Sequence, residues 1–210
     1  MKMSRTIFAF TCAVLFIGSA AFGWARTAQS AELQAGRYET AGVRDARRDY
    51  LKAAGIKTGS IGSRLTVEEA RQLLAAHNAA RSRVGISPLN WSESLARYAQ
   101  EWADHLAFTI GGIEHRPHLG KWKQKHGENL FMGTVGYYGV TDAVGAWESE
   151  RSAYHGGAIE MSNFPAYGHY TQLVWRDTRD LGCAKAEHRG NLIVVCNYDP
   201  PGNTVGRTPY

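Results

Sequence analysis

The 210 residues suffice for one domain with a sizeable core and are few for two. An apolar share of 44 % against 20 % charged, with 6 Trp, 10 Tyr and 7 Phe, excludes a disordered chain. The formal net charge of +5 falls to +3 once Lys2 and Arg5 leave with a leader, and no run of Lys or Arg and no basic-aromatic interleaving marks a nucleic-acid face, so no nucleic-acid partner is expected.

At the N-terminus, Lys2 and Arg5 precede an apolar run from Ile7 to about Phe22 that ends in small residues. This is the pattern of a secretory signal peptide over residues 1–25. Cleavage after Gly23 satisfies the small-x-small rule through Ala21, and cuts after Ala25 or Ser30 are alternatives. A retained membrane anchor is the competing reading, against which the run is short for a span. The expected location is secreted or extracellular, periplasmic in a bacterium, and no later segment is apolar enough to cross a bilayer. Residues 26–63 are polar and Arg-rich and end in the linker-like stretch Gly55 to Ser63, an N-terminal extension with one weak helix near Ala46 to Ala54. The main domain is expected over 64–210.

The first helix of that domain is announced by a capping box at Thr66 and Glu69, with Leu65 placed to staple against Ala70, and is stopped by Gly85. Ser92 caps a second, in which Leu95, Tyr98, Ala99, Trp102 and Leu106 recur at helical spacing. A third is expected after Thr141, with Val144, Trp147, Glu150 or Arg151, and Tyr154 along one side. Strand candidates follow at Asn129 to Gly133, Leu181 to Glu187 and Leu192 to Tyr198. Helices first, strands clustered late and no βαβ alternation predict an α+β fold, a three-layer α-β-α sandwich on a mostly antiparallel sheet.

Cys12 leaves with the signal peptide, so Cys183 and Cys196 remain as an even pair in an oxidising compartment. A two-residue turn at Arg189-Gly190 makes paired positions sum to 379, which Cys183 and Cys196 also do. Counted outward from the hydrogen-bonded 188/191 pair they fall on a non-hydrogen-bonded site, where side chains lie closest. A cross-strand disulfide is expected there.

Four segments place polar, metal-competent side chains where plain core would be expected. Glu150 shares the aromatic stripe of Trp147 and Tyr154 at i, i+3 and i+7, while Glu148 points away. A carboxylate on the buried side requires a partner, either a neighbour such as Arg151 or a functional group. His169 and Glu128 each follow a glycine and precede an apolar run, and His115 lies in a loop after the second helix. For His169 a satisfied core histidine is the alternative, and for His115 a surface loop. Two imidazoles with two carboxylates form a set that binds a divalent ion and orients its water. Spacing alone does not bring the four together.

These segments resemble the CAP superfamily of cysteine-rich secretory proteins, antigen 5 and pathogenesis-related 1 proteins. Gly168-His169-Tyr170-Thr171-Gln172-Leu173-Val174-Trp175 and Tyr198-Asp199-Pro200-Pro201-Gly202-Asn203 resemble its two signatures, His77-Asn78-Ala79-Ala80-Arg81 its H-N-x-x-R motif and Gly127-Glu128-Asn129-Leu130 its G-E-N-[IL] motif. The resemblance implies the α-β-α sandwich and a cleft tetrad of His115, Glu128, Glu150 and His169, with zinc or another divalent metal held weakly by His115 and His169. His118 and His126 lie in the same stretch as His115. His77, Asn78 and Arg81 are expected to be structural.

The function expected is that of a secreted binding or host/environment-interaction module whose cleft takes a divalent metal, with a lipid or other small ligand as further partner. A metal-assisted extracellular hydrolase with Glu128 or Glu150 as general base is the alternative, and a purely structural domain a third. No Gly-x-Ser-x-Gly elbow is present, and both remaining cysteines are expected to be bonded, which leaves nucleophilic catalysis without a candidate.

Overall fold

The computed structural model describes residues 61–162 and 164–210. The signal peptide, most of the extension and linker, and the weak helix near Ala46 to Ala54 lie outside the described residues.

Helix α1 (Val67–Arg83) begins at the expected capping box: Glu69 N donates to Thr66 Oγ1 and Thr66 N to Glu69 Oε2. It ends before Gly85, whose φ of 72° suits the left-handed residue after a helix. Asn78 accepts from Leu89 N and donates to Leu89 O, which brings the chain back toward the short strand β1 (Asn90–Trp91). Trp91 Nε1 donates to Ile61 O at 3.0 Å, so contact with the domain already exists at Ile61, inside the stretch that reads as linker. Helix α2 (Glu93–His105) starts at Ser92 and runs into a π-helical turn, Leu106–Ile110.

Strand β2 (Gly127–Thr134) is followed by α3 (Val140–Ser149), which starts slightly earlier than expected because Asp142 accepts a hydrogen bond from Gly139 N at 2.7 Å. A 3-10 turn, Glu150–Ala153, continues it, and α4 (Gly168–Leu173) precedes the hairpin of β3 (Asp180–His188) and β4 (Asn191–Asp199). Arg189 and Gly190 both have positive φ, as a two-residue hairpin turn requires. The register pairs His188 with Asn191 and Cys183 with Cys196 as expected, and the cysteines are bonded with Cα atoms 4.1 Å apart.

The sheet order is β1-β3-β4-β2. Its long pairs are antiparallel and the two-residue β1 pairs parallel with β3, so the sheet is mixed. β4 is buried on both faces, with alternate residues entering separate cores. Leu192, Val194, Cys196 and Tyr198 join residues of α1, α3 and α4, whereas Ile193 and Val195 join Ala99, Trp102 and Ala103 of α2 and Leu106 beyond it. These are the layers of an α-β-α sandwich. A Cβ on Gly182 would lie 2.2 Å from Ala96 N, so only glycine lets α2 settle this close to β3.

Within the first core the H-N-x-x-R residues are structural. His77 is fully buried; its Nδ1 faces Leu73 O at 2.7 Å, so Nδ1 carries the proton and Nε2 accepts from the Tyr198 hydroxyl at 2.9 Å. Burial pushes its pKa down to about 4, with the Arg81 charge adding to the effect. Arg81, also fully buried, donates to the carbonyls of Ser87, Leu173, Trp175 and Thr178. Burial lowers it only to about 10, so it stays charged at neutral pH and ties the C-terminal end of α4 to α1.

Candidate functional site

The edge strand β2 organises the site. Adjacent strand residues point to opposite faces, and Glu128 and Asn129 use this to hold two separate segments. Glu128 lies on the α2 side opposite Asn197, and Asn129 donates to His169 O at 3.1 Å on the other side. A Cβ on Gly127 would sit 2.3 Å from Gln172 Oε1, which is why a glycine leads the strand.

The Glu128 side chain is fully buried. Its Oε1 accepts from His115 Nδ1 at 2.9 Å and from Arg116 N at 3.0 Å, while Oε2 faces Arg116 Nε at 3.8 Å and Asn197 Nδ2 at 3.5 Å. A carboxylate can only accept, so Nδ1 of His115 carries a proton, and in the neutral ring Nε2 keeps its lone pair. Glu150 repeats the arrangement across the strand: Oε1 takes His169 Nδ1 at 2.6 Å, and Oε2 takes the backbone N–H of His169 at 3.0 Å and of Tyr170 at 3.3 Å. The partner that its place on the aromatic stripe required is therefore His169. Glu148, pointing away, pairs with Arg83.

The two imidazoles stand 6.5 Å apart between ring centroids, with planes inclined by 26°. Trp147 lies against His169 at 6.3 Å and 22°, anchored by a bond from Nε1 to Leu130 O. His115 and His169 open onto a cleft of about 770 Å³ whose wall includes Gln124, Phe164, Pro165 and Pro201. Glu128 reaches its lining and Glu150 stands behind His169 outside it. His118 and His126 also line the cleft; His126 lies 3.5 Å from Asp199 and edge-on to Tyr98. Among the described residues no cluster of three or more His, Cys, Asp or Glu side chains has the geometry of a metal site, and of the four histidines in the cleft lining His115 and His169 are the two whose Nδ1 is held by a glutamate.

Sequence reasoning missed Arg116, Asn197 and Asn203. Arg116 is buried with its guanidinium carbon 3.7 Å over the Tyr98 ring, and Asn197 is the one polar residue within the apolar run of β4, which was its signal. Asn203 accepts from Thr171 Oγ1 and donates to Gly168 O, clamping both flanks of His169. The charge pattern needs one correction. Lys121-Trp122-Lys123-Gln124-Lys125 is a basic-aromatic alternation too short to stand out in the sequence, and the fold gathers its lysines with Arg97 and Arg116 around one cleft.

The α-β-α sandwich is the fold of a known family. The profile of the cysteine-rich secretory protein family (CAP) matches residues 74–198, and the chain belongs to that family. It is 38 % identical to pathogenesis-related protein 1C of Nicotiana tabacum over 138 residues, 65 % of this chain and 78 % of the relative. It is 41 % identical to pathogenesis-related protein 1 of Arabidopsis thaliana over 138 residues, 65 % and 80 % of the two chains. Among solved structures, NaASP2 with Zn2+ has a similar fold, with a TM-score of 0.61 at 24 % identity over 70 % of this chain and 86 % of that one. No described helix is long and apolar enough to cross a membrane.

Proposed function

We propose that this protein is a secreted interaction module of the pathogenesis-related 1 type whose cleft binds a divalent ion, zinc or a similar metal, through Nε2 of His115 and Nε2 of His169. The observation that carries this reading is the pair of carboxylate bonds to Nδ1, which leaves Nε2 as the ligating nitrogen of two rings that line one cleft. Such a carboxylate-histidine arrangement fixes ring orientation and raises ligand basicity. With two protein nitrogens the site is open, so binding is weak and exchangeable, unlike a closed four-ligand zinc. A bound ion would supply a Lewis acid to a ligand in the remaining cleft volume. The chain's own contribution is to hold the imidazoles and bind the ligand.

The geometry favours binding over hydrolysis. A general base must reach the proton it removes. The oxygens of Glu128 are turned to His115, Arg116 and Asn197, and those of Glu150 to His169 and the start of α4. Calorimetric titration of zinc into wild type and His169→Ala near neutral pH tests the reading: binding by wild type that the variant loses, at an unchanged apo melting temperature, supports it, and equal binding by both refutes it.

A further inference from the structure

A second cleft, of about 640 Å³, shares Arg116 and Lys125 with the histidine cleft as common wall. It is built from α2, which supplies Arg97 and Tyr98, and from the loop that leads into β2. Along that loop exposure alternates: Lys121, Lys123 and Lys125 point outward while Trp122, Gln124 and His126 turn in.

The loop backbone is pinned. The Tyr98 hydroxyl donates to Lys123 O at 3.1 Å and accepts from Lys125 N at 3.2 Å, while Gln124 N donates to Pro117 O at 2.8 Å. The lysines thus project from a fixed frame. The floor is Arg116, whose side chain is 2 % exposed. Its guanidinium lies 3.7 Å over Tyr98, 5.1 Å from Trp102 and 5.4 Å from Trp122, and Nη2 donates to Tyr98 O at 2.6 Å. Its Nε makes no hydrogen bond but lies 3.8 Å from Glu128 Oε2, so the guanidinium is already ion-paired on the side of the histidine cleft.

Five cationic side chains, Arg97, Arg116, Lys121, Lys123 and Lys125, therefore line a concavity that holds one carboxylate, Glu101. Arg97 is shared with Glu93 at 3.2 Å and Arg116 with Glu128 at 3.8 Å, but among the described residues no carboxylate pairs with Lys121, Lys123 or Lys125. Like charges on a concave wall focus the field and concentrate counter-ions. The aromatic faces are already taken: His105 stacks on Trp122 at 4.7 Å, and Lys121 lies 5.0 Å over the same ring. With Trp122 covered by His105 and Lys121 and with Arg116 over Tyr98, the cleft offers charge more than stacking.

We propose that this second cleft binds a multiply charged tetrahedral oxyanion, a phosphate or sulfate ester group, between the three lysines and Arg97 above the buried Arg116. Ammonium groups serve as point charges for such anions, and each charge-assisted bond is among the stronger kinds. The site adjoins the histidine cleft through Arg116 and Lys125 but uses neither His115 nor His169, so its test is run without metal.

The test is calorimetry on the whole chain in EDTA at roughly 50 mM NaCl, where screening is weak. The probes are sodium pyrophosphate and sucrose octasulfate, with sedimentation on phosphatidylcholine vesicles containing phosphatidylinositol 4-phosphate as a third arm. The double substitution Lys121→Gln, Lys123→Gln is compared with Arg176→Gln, Arg179→Gln, exposed side chains that line neither cleft. Expected is binding by wild type and the arginine control, weakened about tenfold or more by the lysine substitutions, the loss of one or two charge-assisted bonds. Uptake of the soluble anions assigns the site to free or glycan-borne esters, and vesicle binding alone assigns it to a lipid headgroup. Absence of binding to all three probes, or equal loss in the arginine control, overturns the proposal.

Discussion

Glu150 grips His169 at two points, its ring at Nδ1 and its backbone at N, with one carboxylate oxygen for each. The same residue thus sets the imidazole tautomer and anchors the first turn of α4. Glu150→Gln keeps the shape but cannot accept from Nδ1–H through its amide nitrogen. The ring is then free to place its proton on Nε2 and lose its ligating lone pair. Zinc affinity should fall about 10- to 100-fold, the usual cost of removing such a carboxylate. Calorimetry beside circular dichroism checks this, and unchanged affinity in a folded variant contradicts it.

Glu128 differs because it is sealed. Glu128→Ala leaves the buried Arg116 guanidinium without its carboxylate and removes the acceptor of Arg116 N. Breaking a buried pair from one side costs about 3 kcal/mol or more. Urea unfolding should show a loss of that order for Glu128→Ala and a smaller one for Glu150→Ala, whose side chain remains 22 % exposed. Equal losses would sink the distinction.

His77 makes stability fall with acid. Its imidazole titrates near 6.5 when unfolded and near 4 in the fold, so between these values the unfolded chain holds the extra proton. Stability from this group is complete above about 6.5, is lost as pH falls toward 4, and amounts to about 3 kcal/mol. Glutamine at position 77 does not titrate. The stability difference between wild type and His77→Gln should therefore shrink by about that amount between pH 7 and pH 4, and a pH-independent difference would falsify the linkage.

Cys183 and Cys196 are already neighbours through the β3–β4 ladder, so the bond acts chiefly on the unfolded chain. Replacing both by alanine should lower the unfolding free energy by about 3 kcal/mol while leaving the far-ultraviolet spectrum intact. Thiol titration of the denatured, unreduced mature protein, which lacks Cys12, should find essentially none, and two thiols per chain would contradict the pairing.

Much of the frame was legible because its signals are local. Thr66 and Glu69 lie three residues apart, and the Arg189-Gly190 turn fixes the register of every pair back to Cys183. The orientation of Glu150 followed from helical period alone, since the 3-10 turn that carries it keeps i and i+3 on one side. Strand β1 escaped because two residues leave no alternation to read. The partners were hidden for a different reason. His115 meets Glu128 only after β2 takes its edge position, which depends on pairing with β4 across more than fifty intervening residues, and His169 meets Glu150 only once α4 packs beside the end of α3. Arg116 was hidden because a charged residue beside a proline looks exposed until Tyr98 and the two tryptophans close over it.

In the proposed site His115 and His169 present Nε2 to one ion while their Nδ1–H groups keep donating to Glu128 and Glu150. Long-range ¹H–¹⁵N correlation of the imidazoles, recorded during zinc titration, tests it most directly. Both Nε2 resonances should shift together and saturate at one zinc per chain, with both Nδ1 atoms protonated throughout. Zinc-dependent shifts at Nδ1, or at only one of the two rings, would contradict it.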